Sequence, residues 1–251
     1  MTAAPEVLIA ESPDALAQQT AERVVEVLGA ALRNGPDAHL AVTGGGILEQ
    51  VLAGVAERAA ALEWPRVHVW WGDERYVPAD SDDRNDRAAL ALLFGKVDID
   101  PARLHRMPAS DAGFGDDVDA AADSYAAELA DAVGGGVGAV PPFDIVLLGV
   151  GPDGHCASLF PGHPGTAVVD TSVIAVRNSP KPPPIRLSLT FPALDAAREV
   201  WFVASGEGKA DAVAKALSST DRVQVPASGP RGRDRTLWLI DRAAAANLPP
   251  R

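Results

Sequence analysis

The sequence predicts an α/β fold, a doubly wound and mostly parallel sheet with helices on both faces in the Rossmann-like manner. Apolar runs such as "FDIVLLG", "EVWFVA" and "TLWLI" lack polar alternation, as strands covered on both faces require. These runs alternate with segments of helical periodicity, the pattern of βα units. No repeat and no long linker divides the 251 residues, so residues 1–251 are expected to form a single domain.

Residues 12–33 read as a helix, with Ser12 as N-cap, Pro13 at the first helical position, and Leu16, Val24, Val27, Leu28 and Leu32 on its buried face. "NGPDA" ends it, "HLAVT" is a strand, and "ILEQVLAGVAERAAAL" is the next helix. The strand "RVHVWW" follows, then the polar segment "GDERYVPADSDDRND" and a helical "RAALALLF". An Ala-rich helix over 116–133 runs into the loop "GGGVGAVPP". "FDIVLLG", "TSVIAV", "EVWFVA" and "TLWLI" are strands, with the helix "GKADAVAKALSS" between the last two.

Apolar residues make up 47% and charged residues 22%, and the mean hydropathy is near zero, the profile of a folded chain rather than a disordered one. No apolar run reaches the roughly 18 residues of a membrane span. The start, "MTAAPEVLIAESPDAL", is acidic where a secretory signal is basic, so a cytoplasmic location is expected. Cys156 is the single cysteine, which excludes an internal disulfide. A net charge of −12 argues against nucleic-acid and anionic-membrane partners, which need a basic face. An anionic small substrate would instead need a few Arg, Lys and backbone N–H groups gathered beside glycine loops.

In doubly wound sheets, ligands sit beyond the carboxyl ends of the strands, so the loops after the strands carry the functional argument. After "HLAVT", Gly44, Gly45 and Gly46 open a helix, and its free N–H groups and dipole favour a phosphate, with the Thr43 hydroxyl beside them. The Lys-Ser/Thr pair of a Walker A loop is missing; a tight turn without ligand is the plainer alternative. After "VHVWW" come Asp73, Glu74 and Arg75. They form either a solvated charge cluster or a functional group in which Arg75 grips an anion and a carboxylate orients a histidine or a water. After "FDIVLL", the loop spells G-x-G-x-x-G, yet only "HCASLF" separates Gly154 from Pro161. That is too short for the crossover helix of about a dozen residues that a dinucleotide site needs, and Asp153 would face a pyrophosphate with like charge.

His155, just past this loop, has the chemistry of a general base, against the alternative of a structural histidine. Cys156 is its chain neighbour, but adjacent side chains diverge, so no Cys-His dyad is read here. No HExxH, cysteine cluster or second histidine at ligand spacing is present, and no metal is expected. Lys181 and Arg186 flank a rigid proline turn, and Lys209 opens a helix after a glycine loop, as a second phosphate ligand or a solvated residue.

Together "TGGG", "WWGDERYVP" with "SDDRN" behind it, "LLGVGPDGHCASLFPG", "KPPPIRLSLT" and "SGEGKA" resemble the glucosamine-6-phosphate isomerase/6-phosphogluconolactonase family, on its lactonase side. The resemblance runs in order from about residue 38 to 215. It implies a fold of the glucosamine-6-phosphate deaminase/ribose-5-phosphate isomerase type, hydrolysis of a phosphorylated sugar lactone in the oxidative pentose phosphate pathway, and no obligatory cofactor. In that reading His155 activates the water; Asp73 or Asp153 orients the imidazole; Arg75 and Lys209 meet the phosphate; Arg186 or loop N–H groups stabilise the oxyanion. The protein is expected to act as a monomer. Two departures stand out: Gly46 where many members have a hydroxyl or basic residue, and Cys156 for a common Thr.

The nearest alternative is a glucosamine-6-phosphate deaminase or isomerase, which resembles the chain at the Asp-Glu pair and at "DGH". Those enzymes continue into an "AFNEP"-like segment with a Glu, whereas "ASLFP" here has no acid. A non-catalytic sugar-phosphate-binding regulator is the alternative from another class.

Overall fold

A computed structural model describes residues 4–249. In chain order its elements are β1 (Glu6–Ala10), α1 (Pro13–Asn34), β2 (Ala38–Val42), α2 (Gly46–Glu57), β3 (Val67–Trp71), β4 (Asp73–Arg75), α3 (Asn85–Ala89) and β5 (Leu104–His105). They continue with α4 (Val118–Asp131), β6 (Ile145–Gly149), β7 (Val173–Val176), β8 (Arg186–Leu189), α5 (Phe191–Asp195), β9 (Glu199–Ala204), α6 (Ala210–Ser218) and β10 (Arg235–Asp241). Seven strands form one parallel sheet in the order β1-β10-β9-β6-β2-β3-β5.

Successive strand side chains point to opposite faces, and yet Val69, Trp70 and Trp71 are all fully buried. Both faces of the sheet are therefore covered, as the unbroken apolar runs require. α1 and α2 pack on each other and on the sheet. α4 approaches β3 through Tyr125, whose hydroxyl accepts from Trp71 N at 2.9 Å. Trp70, Trp71, Trp201 and Trp238 fill the core. Ser12 caps α1 by accepting from Ala15 N at 3.1 Å, with Pro13 next to it.

Several sequence-based expectations need correction. "TSVIAV" supplies β7, but β7 pairs antiparallel with β8, and β8 with β4, in a separate small sheet. The polar "DER" and the segment after the proline turn are thus strands, β4 and β8. Their partners, not their own periodicity, make them so. "ILEQVLAGVAERAAAL" leaves the α-helix at Glu57 for a tighter turn over Ala59–Ala61, and the second half of "RAALALLF" widens into a π turn over Leu90–Phe94. No helix among the described residues is long and apolar enough to cross a membrane.

Near the amino ends of β2 and β3, opposite the carboxyl ends of the strands, histidines stack. His39 lies 4.6 Å from His68, and His105 lies 3.6 Å from the Trp70 ring. His68 Nδ1 is 2.9 Å from His105 Nε2, and His105 Nδ1 is 2.6 Å from Glu128 Oε1. Arg103 contacts both His68 and Asp37. Burial, then the neighbouring His68, pushes His39 down to about 4, and burial, then Arg103, does the same to His68. An unfolded histidine titrates near 6.5, so the unfolded chain binds more protons between the two values. The stability from these neutral rings is complete above about pH 6.5 and lost as pH falls toward 4. Thermal melts should show the midpoint falling across that window, and falling less in a His68→Gln variant.

Candidate active site

β3 and β5 extend the sheet from β2 in one direction, and β9 and β10 extend it from β6 in the other. Strand order thus reverses between β2 and β6, the place where such sheets open a crevice. A cleft of about 500 Å³ lies there, walled by the loops after β2, β6 and β9 and by the small sheet, a volume suited to a small molecule.

One wall is the "TGGG" loop. Gly45 holds a φ of +132°, a conformation that side chains disfavour, and stands as N-cap of α2 with no side-chain cap. The first N–H groups of α2 are consequently free of helical partners and available to an anion. Gly44, Gly45 and Gly46 all line the cleft, as does Thr43. The Thr43 hydroxyl is committed to the fold: it donates to Leu147 O at 3.1 Å and accepts from Gly149 N at 3.3 Å, tying β2 to β6.

The loop after β6 closes on itself. Gly151 N donates to His155 O and Gly154 N to Gly151 O, each at 2.9 Å. This turn brings Asp153 Oδ1 to 2.5 Å from His155 Nδ1. A carboxylate only accepts, so Nδ1 carries a proton, and in the neutral form of the ring the lone pair is on Nε2. Nε2 has no protein partner among the described residues, and the ring lines the cleft. Burial opposes the Asp153 charge, but the hydrogen bond from His155, its charge and that of Lys181 hold the carboxyl well below the usual carboxylate range.

Asp73, the other carboxylate considered for orienting the imidazole, is buried and accepts from Ser158 Oγ at 2.7 Å. It anchors the segment that follows His155. Its neighbour Glu74 accepts from the backbone N–H of Arg75, Asn85 and Asp86. Burial, against the pull of Arg84, pushes Glu74 up to about 7. Glu74 thus fixes the start of α3, and Asn85 Nδ2 donates to Asp73 O at 3.0 Å. Arg75 lines the cleft and donates from Nη1 to Asp83 O at 2.7 Å.

Arg186 is buried under the proline turn, where Nε and Nη2 donate to the carbonyls of Pro183, Lys181 and Pro182 at 3.0–3.2 Å. Lys209 Nζ donates to Val150 O at 2.7 Å, and burial, then the nearby Lys181, lowers its pKa. Arg75, Lys181, Arg186 and Lys209 all line the cleft, a local positive field within a chain of net charge −12. Cys156 is fully buried; burial, then the Asp73 charge, pushes its thiol up, so it is no thiolate nucleophile. No cluster of metal-ligating side chains occurs among the described residues.

The structure thus gathers His155, Asp73, Arg75, Thr43, Gly44–Gly46, Arg186 and Lys209 around one cleft, with Asp153 bonded to His155. Sequence reasoning gave no role to Asn85, Ser158 or Lys181. The first two are uncharged and gain meaning only from Asp73, 12 and 85 residues away. Lys181 had one usable signal, a charge beside a rigid proline turn.

A family profile described as glucosamine-6-phosphate isomerases/6-phosphogluconolactonase matches residues 11–238. The chain belongs to that family. Among members, it is 48% identical over 252 residues to the 6-phosphogluconolactonase of Streptomyces coelicolor, covering 99% of this chain and 97% of the relative. It is 48% identical over 236 residues to that of Mycobacterium tuberculosis, covering 94% and 95%. The solved 6-phosphogluconolactonase of Trypanosoma cruzi superimposes with a TM-score of 0.86 at 27% identity, over 99% of this chain and 98% of that one. A monomeric glucosamine-6-phosphate deaminase shares the family fold at 23% identity, with a TM-score of 0.77 over 96% and 99% of the chains.

Proposed function

We propose that the protein hydrolyses 6-phosphoglucono-lactone to 6-phosphogluconate, the ring-opening step of the oxidative pentose phosphate pathway, by general-base activation of water at His155. The observation that carries this reading is the Asp153–His155 pair, 2.5 Å apart, at the edge of a cationic cleft. The relatives named as 6-phosphogluconolactonases support the substrate.

The substrate phosphate rests on the N–H groups of the 44–46 loop, with Lys209 as its ammonium partner. His155 Nε2 takes a proton from a water as the water oxygen bonds to the lactone carbonyl carbon. Arg75 and Arg186 supply positive charge for the carbonyl oxygen as it becomes an oxyanion. The tetrahedral intermediate then collapses, its bond to the ring oxygen breaks, and the imidazolium returns the proton to that oxygen. The new carboxylic acid loses its proton to solvent. Asp153 keeps the imidazole in the tautomer that can act and balances its transient charge.

Freshly prepared 6-phosphogluconolactone should be turned over well above its spontaneous rate and far faster than unphosphorylated gluconolactone, with no ammonia released from glucosamine-6-phosphate. Ammonia release without lactone turnover would favour the deaminase reading; product binding without turnover would favour the regulator. Lys209→Ala should raise KM by about 10-fold to 100-fold, the worth of a charged hydrogen bond, and leave kcat nearly unchanged. A loss confined to kcat would move Lys209 from phosphate binding into the chemistry.

A further inference from the structure

Lys181 stands closer to the reacting base than any role in anion binding requires. Its Nζ is 3.3 Å from Asp153 Oδ1 and also 3.3 Å from His155 Nδ1. Because Nδ1–H is already given to Asp153, the second approach is no hydrogen bond. It is an ammonium set against the imidazole edge. Lys181 is also the cation that salt-bridges Asp153 among the described residues.

The chain invests in this placement. Arg186 ties down the carbonyls of residues 181–183, and its guanidinium lies 5.6 Å from the Phe160 ring centroid. That ring in turn sits 4.7 Å from the His155 ring. Ser179 Oγ donates to Lys181 O at 2.8 Å and accepts from Lys181 N at 3.2 Å. The buried arginine therefore positions the turn that carries Lys181, and the turn and His155 share the Phe160 ring as a support.

We propose that Lys181 completes an Asp153–His155–Lys181 triad, as a positioning residue that fixes the carboxylate and opposes a lasting positive charge on the imidazole. This rests on the lactonase reading. Asp153 favours the imidazolium and Lys181 disfavours it, so His155 accepts a proton from water during attack and gives it up readily to the leaving ring oxygen. The Lys181 charge reaches its neighbours: it adds to the lowering of Asp153 and of Lys209. The remaining charged groups around the cleft are Lys209 at the start of α6, Arg186 on β8, and Asp73 and Arg75 on β4. Among the described residues, Lys181 and Asp153 reach the imidazole Nδ1, and these four groups do not.

Removing the ammonium leaves Asp153 unopposed, so His155 stays protonated to higher pH. The test uses the full chain with Lys181→Met and Lys181→Arg variants, kcat/KM profiles on fresh lactone, and NMR titration of the His155 Cε1–H resonance, assigned by its loss in His155→Gln. In Lys181→Met the acid limb and the resonance midpoint should both move up by about one pH unit, with about tenfold lower kcat/KM on the acid side and KM little changed. Lys181→Arg should restore the wild-type limb, which separates charge from side-chain packing. An unmoved limb and midpoint in folded Lys181→Met overturns the proposal while lactone turnover by the wild type stands. If the wild type lacks turnover, the lactonase reading fails, and the substrate-free titration alone decides whether Lys181 opposes the imidazolium.

Discussion

His155→Gln is expected to lower kcat/KM on 6-phosphogluconolactone by about 10² to 10⁴-fold, the usual contribution of a positioned general base. Gln keeps a polar side chain of similar reach and can still donate toward Asp153, so the turn closed by Gly151 and His155 survives. It cannot take a proton from water. KM should change little, because the phosphate contacts proposed above lie on the 44–46 loop and Lys209, away from the imidazole. Residual activity stays measurable because a lactone is an activated ester and the cationic wall still polarises its carbonyl. A folded His155→Gln protein with wild-type kcat would remove the base from the imidazole altogether.

The second large effect is expected at Gly151, a cleft-lining position with no side chain of its own. A Cβ added to Gly151 would lie 1.9 Å from His155 Nδ1, 2.0 Å from its Cε1 and 2.5 Å from Asp153 Oδ1. The φ of Gly151 lies outside the left-handed region, so the conflict is with the side chains of the pair and not with the backbone. Both side chains can swing away, so Gly151→Ala should fold with a melting midpoint near wild type. Their hydrogen bond cannot survive the move, and the imidazole leaves the place from which the proposed mechanism has it take a proton from water. A misplacement of this size costs about 10²-fold in rate, with the loss falling on kcat. Circular dichroism melts beside steady-state kinetics check both halves, and a destabilised but fully active Gly151→Ala would contradict the geometry.

Much of the parallel sheet was legible in the chain because a strand buried on both faces must be apolar throughout, and "EVWFVA" and "TLWLI" are. The small sheet was not. "TSVIAV" carries the same signature, but an apolar run does not say which sheet it joins, and β4 and β8 owe their strand character to pairing across 111 to 115 residues, as in Asp73 with Ser188 and Arg75 with Arg186. The edge strand β5 is two residues long, too short for any periodicity.

The site divided in the same way. Glycine loops after strands, and a histidine just past one of them, are local features, and His155, Lys209 and the 44–46 loop could be found from order along the chain. The choice between Asp73 and Asp153 could not. Residues two apart on an extended chain share a side only if no turn intervenes, and here a closed turn, with Gly154 at a φ of +86°, sets Asp153 against the imidazole. Asp73 finds Ser158 instead. Arg186 reads as a free cation beside prolines, but its guanidinium is turned inward to hold their carbonyls.

The most direct measurement is stopped-flow proton release from freshly made 6-phosphogluconolactone, following wild type, His155→Gln and the uncatalysed reaction side by side at neutral pH. Wild type should release protons far faster than the spontaneous rate, with His155→Gln close to it. Equal rates for folded wild type and His155→Gln would contradict a lactone hydrolase whose base is His155.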